Sequence, residues 1–494
     1  MRVTNSMMRN NSLLNMQKNK NAYNKYLMQY NTQSKIQRPS DDPTIAVRAL
    51  KYRTTLAEVT QYLKNIDDAT SWMDATEKSL SDISDVVGNM QEYCTQAANG
   101  TNSSDNRKDI LAQLKEYSAF IYEQDANADY NGRYLFTGYR TDVPLLFDAV
   151  STSTTYTITE DIDINKIDKY QYVYGGAVYD ENKTASDYAN EAAQFKTTHR
   201  VMVSYTNCDE ADLTVQYTDK DGNVQNITAI RKSIGDNTIN NEHLNPGEDE
   251  VYFIPETGEV VFGDNIYDSI RGGSNLSVTY DKSEFQEGDI RPEHYFNCKT
   301  VDQVTGVTAT YAKPASQNMN YQIYFSQTLS VNTMACNAVD TSIARMIDDV
   351  TNVCNDIDTL EAQIKSVEKR IEDCDENDTT TLANLNELKN QLDTQLSLQK
   401  TVLTKTLGAA VTTCQKAQDK IGVAIADHGS RYSRLTITKA KLKQQKTDTE
   451  EAKSDNEDAD LGEAYINFSE ADLLYQATLN ATNKILGQSL LNFI

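Results

Sequence analysis

The chain has 494 residues, of which 72 are acidic and 47 basic, for a formal charge of −25. Such an excess of acid argues against nucleic-acid binding, which calls for clustered lysine and arginine. Length sets an expectation of two to four domains at ~100–200 residues each, and the apolar runs fall far short of the ~18 residues that would cross a bilayer, so no membrane span is expected.

The opening residues contain no continuous apolar stretch before a small-residue cleavage site, so classical secretion is not expected. Positions 13, 16, 20, 23, 27 and 30 read Leu, Met, Lys, Tyr, Leu and Tyr, one amphipathic stripe on a helix otherwise rich in Asn, Gln and Lys. The run Arg38-Pro39-Ser40-Asp41-Asp42-Pro43 predicts a helix break and restart. Pro39 keeps the preceding chain extended, and Asp42 before Pro43 fits an N-cap followed by proline at the first helical position. Apolar residues then recur at spacings of three and four from Ala49 to Ile66 and from Leu80 to Ala97, which predicts one long helical seam.

Between residues 139 and 325 the composition changes. This stretch holds five of the seven prolines, 11 of the 20 glycines and 16 of the 29 tyrosines, a profile of strands and turns. Tyr170–Tyr174 and Val201–Tyr205 read as half-buried strands. Val251–Ile254 and Val260–Phe262, separated by Pro255-Glu256-Thr257-Gly258, read as a hairpin. Helical periodicity returns from Ile343 to Cys374 and from Leu382 to Ala424, broken on the second face only by Lys389 and Lys400. The acidic turn Asp375–Asp378 between them predicts an antiparallel helical hairpin.

The C-terminal stretch repeats the pattern of the start. Leu461, Phe468, Tyr475, Leu479, Ile485, Leu486 and Phe493 share one side, and acidic residues 455–460 precede the helix where its dipole favours them. For either terminal helix alone, burial of one narrow stripe falls short of the conformational entropy lost on ordering. Each end is therefore expected to fray in isolation and to order when the two stripes cover each other and meet copies from neighbouring molecules. Leu13, Met16, Tyr23, Leu27 and Tyr30 are the expected contact residues of the first helix, and the seven named above those of the second.

Chemistry-bearing residues form no pattern of their own. The four histidines stand far apart, and His294 with Cys298 makes at most half a metal site, better read as a surface histidine beside a buried cysteine. Asp219-Lys220-Asp221-Gly222-Asn223 lacks the spacing of a calcium loop and reads as a turn. No nucleophile motif or phosphate-cradling loop occurs, so no catalytic, cofactor or metal site is expected. The seven cysteines are odd in number and widely spaced, fitting small core hydrophobes rather than a disulfide framework. The expected fold class is mainly α with an inserted β-rich domain.

The start Met1-Arg2-Val3-Thr4-Asn5, the segment Ile36–Pro43, Asn131-Gly132-Arg133-Tyr134-Leu135-Phe136-Thr137-Gly138, Arg434-Leu435-Thr436, Ser454–Leu461 and the final Gln488–Ile494 together resemble the bacterial hook-filament junction family, the hook-associated protein 3 type of the flagellin superfamily. Filament flagellins typically carry a Lys-Asp-Asp-Ala type of segment where this chain has Arg38–Pro43, so the resemblance favours a junction protein. It implies a nested architecture: residues 1–43 with 455–494 as a terminal coiled coil, 44–138 with 330–454 as a helical bundle carrying a short hairpin near Tyr134, and 139–329 as a variable outer β domain. It further implies a non-enzymatic structural role outside the cell, after export through the flagellar type III apparatus without a cleaved signal peptide. The implied partners are hook-associated protein 1, flagellin, further copies in a helical lattice, and an export chaperone on the C-terminal helix. The alternatives are a filament flagellin, or a surface-binding module whose tyrosine-rich insert recognises glycans or host surfaces.

Overall fold

The computed structural model describes residues 5–99, 103–236, 241–313, 317–375 and 378–491; of residues 5, 236 and 485–491 it gives the backbone. The helices in chain order are α1 (Asn5–Thr32), α2 (Pro43–Asn99), α3 (Ser104–Ala119), α4 (Ala185–Asn190), α5 (Asp264–Arg271), α6 (Ala335–Ala338), α7 (Ser342–Glu372), α8 (Thr379–Glu457) and α9 (Leu461–Leu491). No helix among the described residues is long and apolar enough to cross a membrane. The chain divides into two compact units, and α2 and α8 contribute residues to both.

The first unit comprises Met1–Ala69, Tyr321–Leu329 and Ser433–Ile494. It contains α1, α9, the first part of α2 and the last part of α8, together with a small hairpin segment. The carbonyl of Gln322 in that segment accepts from Asn65 at 2.9 Å, and the Tyr324 ring lies 6.3 Å from Tyr62. Residue Leu329 is buried there, so the hairpin covers apolar surface that two helices alone would leave wet.

The second unit comprises Thr70–Asn320 and Ser330–Tyr432. Its helical part buries the predicted seam: Leu80, Ile83, Val87, Met90 and Cys94 on α2 are fully buried, as are Val350 and Ile357 on α7 and Leu407 and Cys414 on α8. α7 and α8 form the antiparallel hairpin expected from their periodicity. Lys389 and Lys400, which interrupt the apolar face of α8, reach across to Glu368 at 2.8 Å and Glu361 at 3.3 Å on α7, while Leu388 and Val402 take the core positions. The buried Arg107 of α3 binds Asp358 at 2.5 Å and Glu361 at 2.6 Å; these carboxylates compensate its desolvation and hold its charge.

Among the described residues of this unit the strands are β1 (Asp129–Tyr130), β2 (Arg133–Tyr134), β3 (Thr154–Ile162), β4 (Asp168–Tyr174), β5 (Gln194–Met202), β6 (Thr214–Thr218), β7 (Val224–Thr228), β8 (Ile230–Arg231), β9 (Val251–Ile254), β10 (Glu259–Phe262), β11 (Ser274–Lys282), β12 (Asn297–Asp302) and β13 (Thr308–Tyr311). β1 and β2 make the hairpin near Tyr134. Asn131 and Gly132 both have positive φ (54° and 73°), the backbone that a two-residue primed turn requires.

The remaining strands build a five-stranded sheet, β4-β5-β10-β9-β8, and a six-stranded sheet, β13-β12-β3-β11-β6-β7. One apolar cluster draws on both, with Val203, Phe253, Val260 and Phe262 meeting Ile158, Val215, Val278 and Tyr280, so the sheets pack face to face. Val261, between Val260 and Phe262 in sequence, points the other way into a second cluster with Tyr172, Leu244 and Ile254. Burial on both faces explains the unbroken apolar runs of β9 and β10, which pair with each other as the expected hairpin. Five cysteines are buried and Cys336 and Cys374 half-buried, all as free thiols. His294 corrects the surface reading: it is 4% exposed in the short turn Pro292–His294, and burial, with the Arg140 cation nearby, pushes its imidazole down to about 4. Asp219 takes the backbone amides of Asp221 and Asn223 on its carboxylate, a turn with Gly222 at φ 85°.

Candidate functional site

Two helices from opposite ends of the sequence meet in the first unit. α1 and α9 run antiparallel: Tyr30 stacks on Phe468 and tilts against Tyr465, Tyr23 lies between Phe468 at 5.5 Å and Tyr475 at 5.6 Å, and Asn19 donates to the hydroxyl of Thr478. Ala464 and Ala471 are buried between them, small enough to let the rings interleave. Of the predicted contact residues, Met16, Tyr23, Leu27, Phe468 and Tyr475 are half-buried, while Leu13, Tyr30, Leu461 and Leu479 remain exposed. Ile485 and Leu486 lie on the helical backbone of α9 with their side chains undescribed, and Phe493 lies outside the described residues.

The joint below this helix pair is made by the restart motif. Asp42 caps α2, its Oδ1 accepting from the amides of Thr44 at 2.9 Å and Ile45 at 3.2 Å with Pro43 at the first helical position. Asp41 folds back onto the amides of Arg38 and Gln37, which hold its carboxyl below its usual range. Arg38, Pro39 and Ser40 stay exposed. The strand-like link after α1 lies against the link before α9: Ser34 bridges Asp458, the Lys35 amide donates to the Glu457 carbonyl at 2.7 Å, and the Ala459 amide donates to the Gln33 carbonyl at 2.9 Å. Glu457, only 9% exposed, receives Nε and Nη2 of Arg53 at 3.0 and 2.7 Å, a bidentate pair that raises the guanidinium's affinity for its proton. Ile36, Pro39, Pro43, Val47 and Leu50 edge a hollow of about 380 Å³ beside that pair.

Sequence reasoning missed the outward faces. On α1, Met7, Leu14 and Met28 are exposed, and on α9 so are Ile466, Leu473 and Leu474. Isolated on polar surroundings, they form no run of three-and-four spacings that periodicity would detect. The signal that finds them is their position opposite the aromatic seam once that seam is fixed. Among the described residues no group of three or more His, Cys, Asp or Glu side chains is arranged to hold a metal.

Residues 3–141 match the family described as the bacterial flagellin N-terminal helical region, and residues 404–494 the bacterial flagellin C-terminal helical region. Both ends of the chain are thus similar to the helical regions of flagellin. The helix pair, the joint and the Arg53–Glu457 clamp all lie inside these flagellin regions, whereas β3 to β13 lie outside them. Flagellar hook-associated protein 3 of Escherichia coli K12 is 30% identical over 142 residues, covering 29% of this chain and 45% of that protein. The flagellar filament 30.7 kDa core protein of Treponema maltophilum is 29% identical over 104 residues, 21% of this chain and 36% of that one. The chain thus spans about half the length of the relatives it matches, or less. Flagellar hook-associated protein 3 of Legionella pneumophila is a similar solved structure at 12% identity, covering 81% of this chain and 96% of that one with a TM-score of 0.28.

Proposed function

We propose that this protein is a structural subunit of the bacterial flagellum at the hook-filament junction, polymerising through its terminal helices, and not an enzyme. The observation that carries the reading is that both flagellin-like ends come together in one unit, α1 against α9, with apolar side chains left facing outward for neighbouring molecules. In this reading hook-associated protein 1 lies on one side, flagellin on the other, and copies of the same chain complete the ring between them. The chain leaves the cell unfolded through the flagellar type III apparatus, without a cleaved signal peptide, and a chaperone shields the α9 stripe until then. Residues Leu13, Met16, Tyr23, Leu27, Tyr30, Leu461, Phe468, Tyr475, Leu479, Ile485, Leu486 and Phe493 form the assembly seam, and Arg38–Pro43 is the helix restart that links the terminal coil to the helical bundle.

Similarity to filament core proteins at nearly the same identity favours filament flagellin as the second reading. Immunogold labelling of isolated flagella separates the two. A narrow band of label at the distal end of the hook is the expected result; label along the whole filament favours flagellin, and flagella without label overturn both.

A further inference from the structure

α2 and α8 lie side by side and antiparallel in the second unit, in a register visible at three successive turns. A Cβ on Gly88 would sit 3.3 Å from Nε2 of Gln418, Gln91 donates to the side chain of Gln415 at 2.9 Å, and one turn further the Cys414 thiol donates to Sγ of Cys94. Both cysteines are 0% exposed, and the thioether of Met346 on α7 lies 3.8 Å from Sγ of Cys414. The neighbouring seam positions, Val87 and Met90 on α2 and Leu407 and Ile421 on α8, are apolar. A thiol is a weak donor and a weak acceptor, so two thiols meeting at one level of this seam add little that apolar side chains would not. The other buried thiols differ from this pair. Burial pushes Cys208 and Cys298 up to about 12 and Cys354 up to about 11, whereas the hydrogen bond from Cys414 favours the thiolate of Cys94 and holds it below the usual thiol range.

We propose that Cys94 and Cys414 join as a single disulfide that staples α2 to α8 when the chain folds in the presence of a small-molecule disulfide oxidant. The Cys94 thiolate attacks one sulfur of the oxidant, whose S–S bond breaks and releases one thiolate. Sγ of Cys414, its proton lost to solvent, then attacks Sγ of Cys94 in the mixed disulfide and expels the second thiolate. The two protein thiols give up two electrons and two protons, and the oxidant is reduced to two thiols that take up both. Because both sulfurs are enclosed once the helices have met, the first step belongs to the folding chain and the second to the closure of α2 on α8. The covalent ring runs from residue 94 to residue 414, so α3, both sheets and α7 lie within it. The staple stands apart from the flagellar reading, since it needs only the meeting of the two sulfurs.

The test takes the full-length chain, reduced and unfolded in urea, and refolds it by dilution into a buffer of oxidised and reduced glutathione. Remaining thiols are then blocked by alkylation and the peptides mapped by mass spectrometry. A Cys94–Cys414 cross-link as the dominant product, with two fewer thiols than in the reduced chain, is the expected result. The folded chain held in the same buffer should reach the same product more slowly, as opening of the bundle exposes the sulfurs, so the test does not hang on refolding. Oxidation with the urea retained isolates the contribution of the fold. There, closing a ring of about 320 residues is disfavoured roughly 60-fold against the ring of about 20 residues from Cys354 to Cys374, so the order of products should reverse. Cys94→Ala and Cys414→Ala should each lose the cross-link, and Cys298→Ala should keep it; the map of the natural chain decides even where a variant fails to fold. All seven thiols left free, a different dominant pair, or a Cys94–Cys414 pair formed equally well in urea would each overturn the staple.

Discussion

The Arg53–Glu457 clamp closes a joint between residues 404 positions apart, and its strength follows from its geometry. Two parallel hydrogen bonds of 3.0 and 2.7 Å hold a carboxylate that is 9% exposed, but the guanidinium is 64% exposed and largely solvated. Solvent screening keeps the coupling near the upper end of the surface range, about 1 kcal/mol. Arg53→Met removes that attraction and leaves the Glu457 carboxylate without its partner in a mostly dry site, for a total cost of about 2 kcal/mol. Glu457→Gln costs about 1 kcal/mol, and the double variant less than the sum of the singles by the coupling. Hydrogen exchange of the Lys35 and Ala459 amides is the appropriate assay, because their bonds to Glu457 and Gln33 cross the same joint. About 2 kcal/mol corresponds to roughly 30-fold faster exchange at both amides in Arg53→Met, with Val261 in the five-stranded sheet unchanged. Strict additivity in the double variant, or unchanged exchange at both amides, would refute the reasoning.

Asp42→Ala removes the N-cap of α2 and should cost about 1 kcal/mol, seen as faster exchange over the first turn of that helix. Phe468→Asp inserts a charge between the rings of Tyr23 and Tyr30 and should abolish incorporation into flagella while the circular dichroism of the β strands stays intact. Asp125 ends the π-helical segment Phe120–Asp125, and burial together with the nearby Asp82 pushes its carboxyl up to about 6. A folded value above the unfolded one means that its stabilising contribution is complete below pH ~4 and fades as pH rises through 6. Asp125→Asn should therefore gain on the natural chain by on the order of 1 kcal/mol between pH 4 and 7, allowing for partial exposure, as read from thermal unfolding at the two pH values.

Local pattern and long-range pairing were unequally legible. The seams from Leu80 to Cys94 and from Ile343 to Val367 declare their buried faces through spacing, and Asp42-Pro43 declares a helix start, because each depends on residues within a few positions. The β9–β10 hairpin is likewise local. The order of the sheets is not: β3 pairs with β11 and β12, bringing Thr159 beside Thr279, and no short-range signal encodes such a partner. At the terminal helices the aromatic stripes were plain, but a stripe states only that it needs cover. Tyr23 and Phe468 cover one another within the chain, and the exposed apolar residues Leu14 and Ile466 lie on the sparse opposite faces, visible only after the pairing is known. His294 went unread for the same reason, since nothing in its immediate neighbours in sequence reports its burial or the approach of Arg140.

Asn19 waits 459 residues for Thr478. α1 therefore leaves the ribosome long before its mate, and translation halted between Ser342 and Leu461 yields a product with Tyr23 and Tyr30 bare. The two sheets can mature in such a product, since all their strands precede α7, whereas the terminal unit has nothing to close upon. Synthesis of α9 is thus written into which helix meets which: only a chain that extends through α9 can cover the rings of α1 from within.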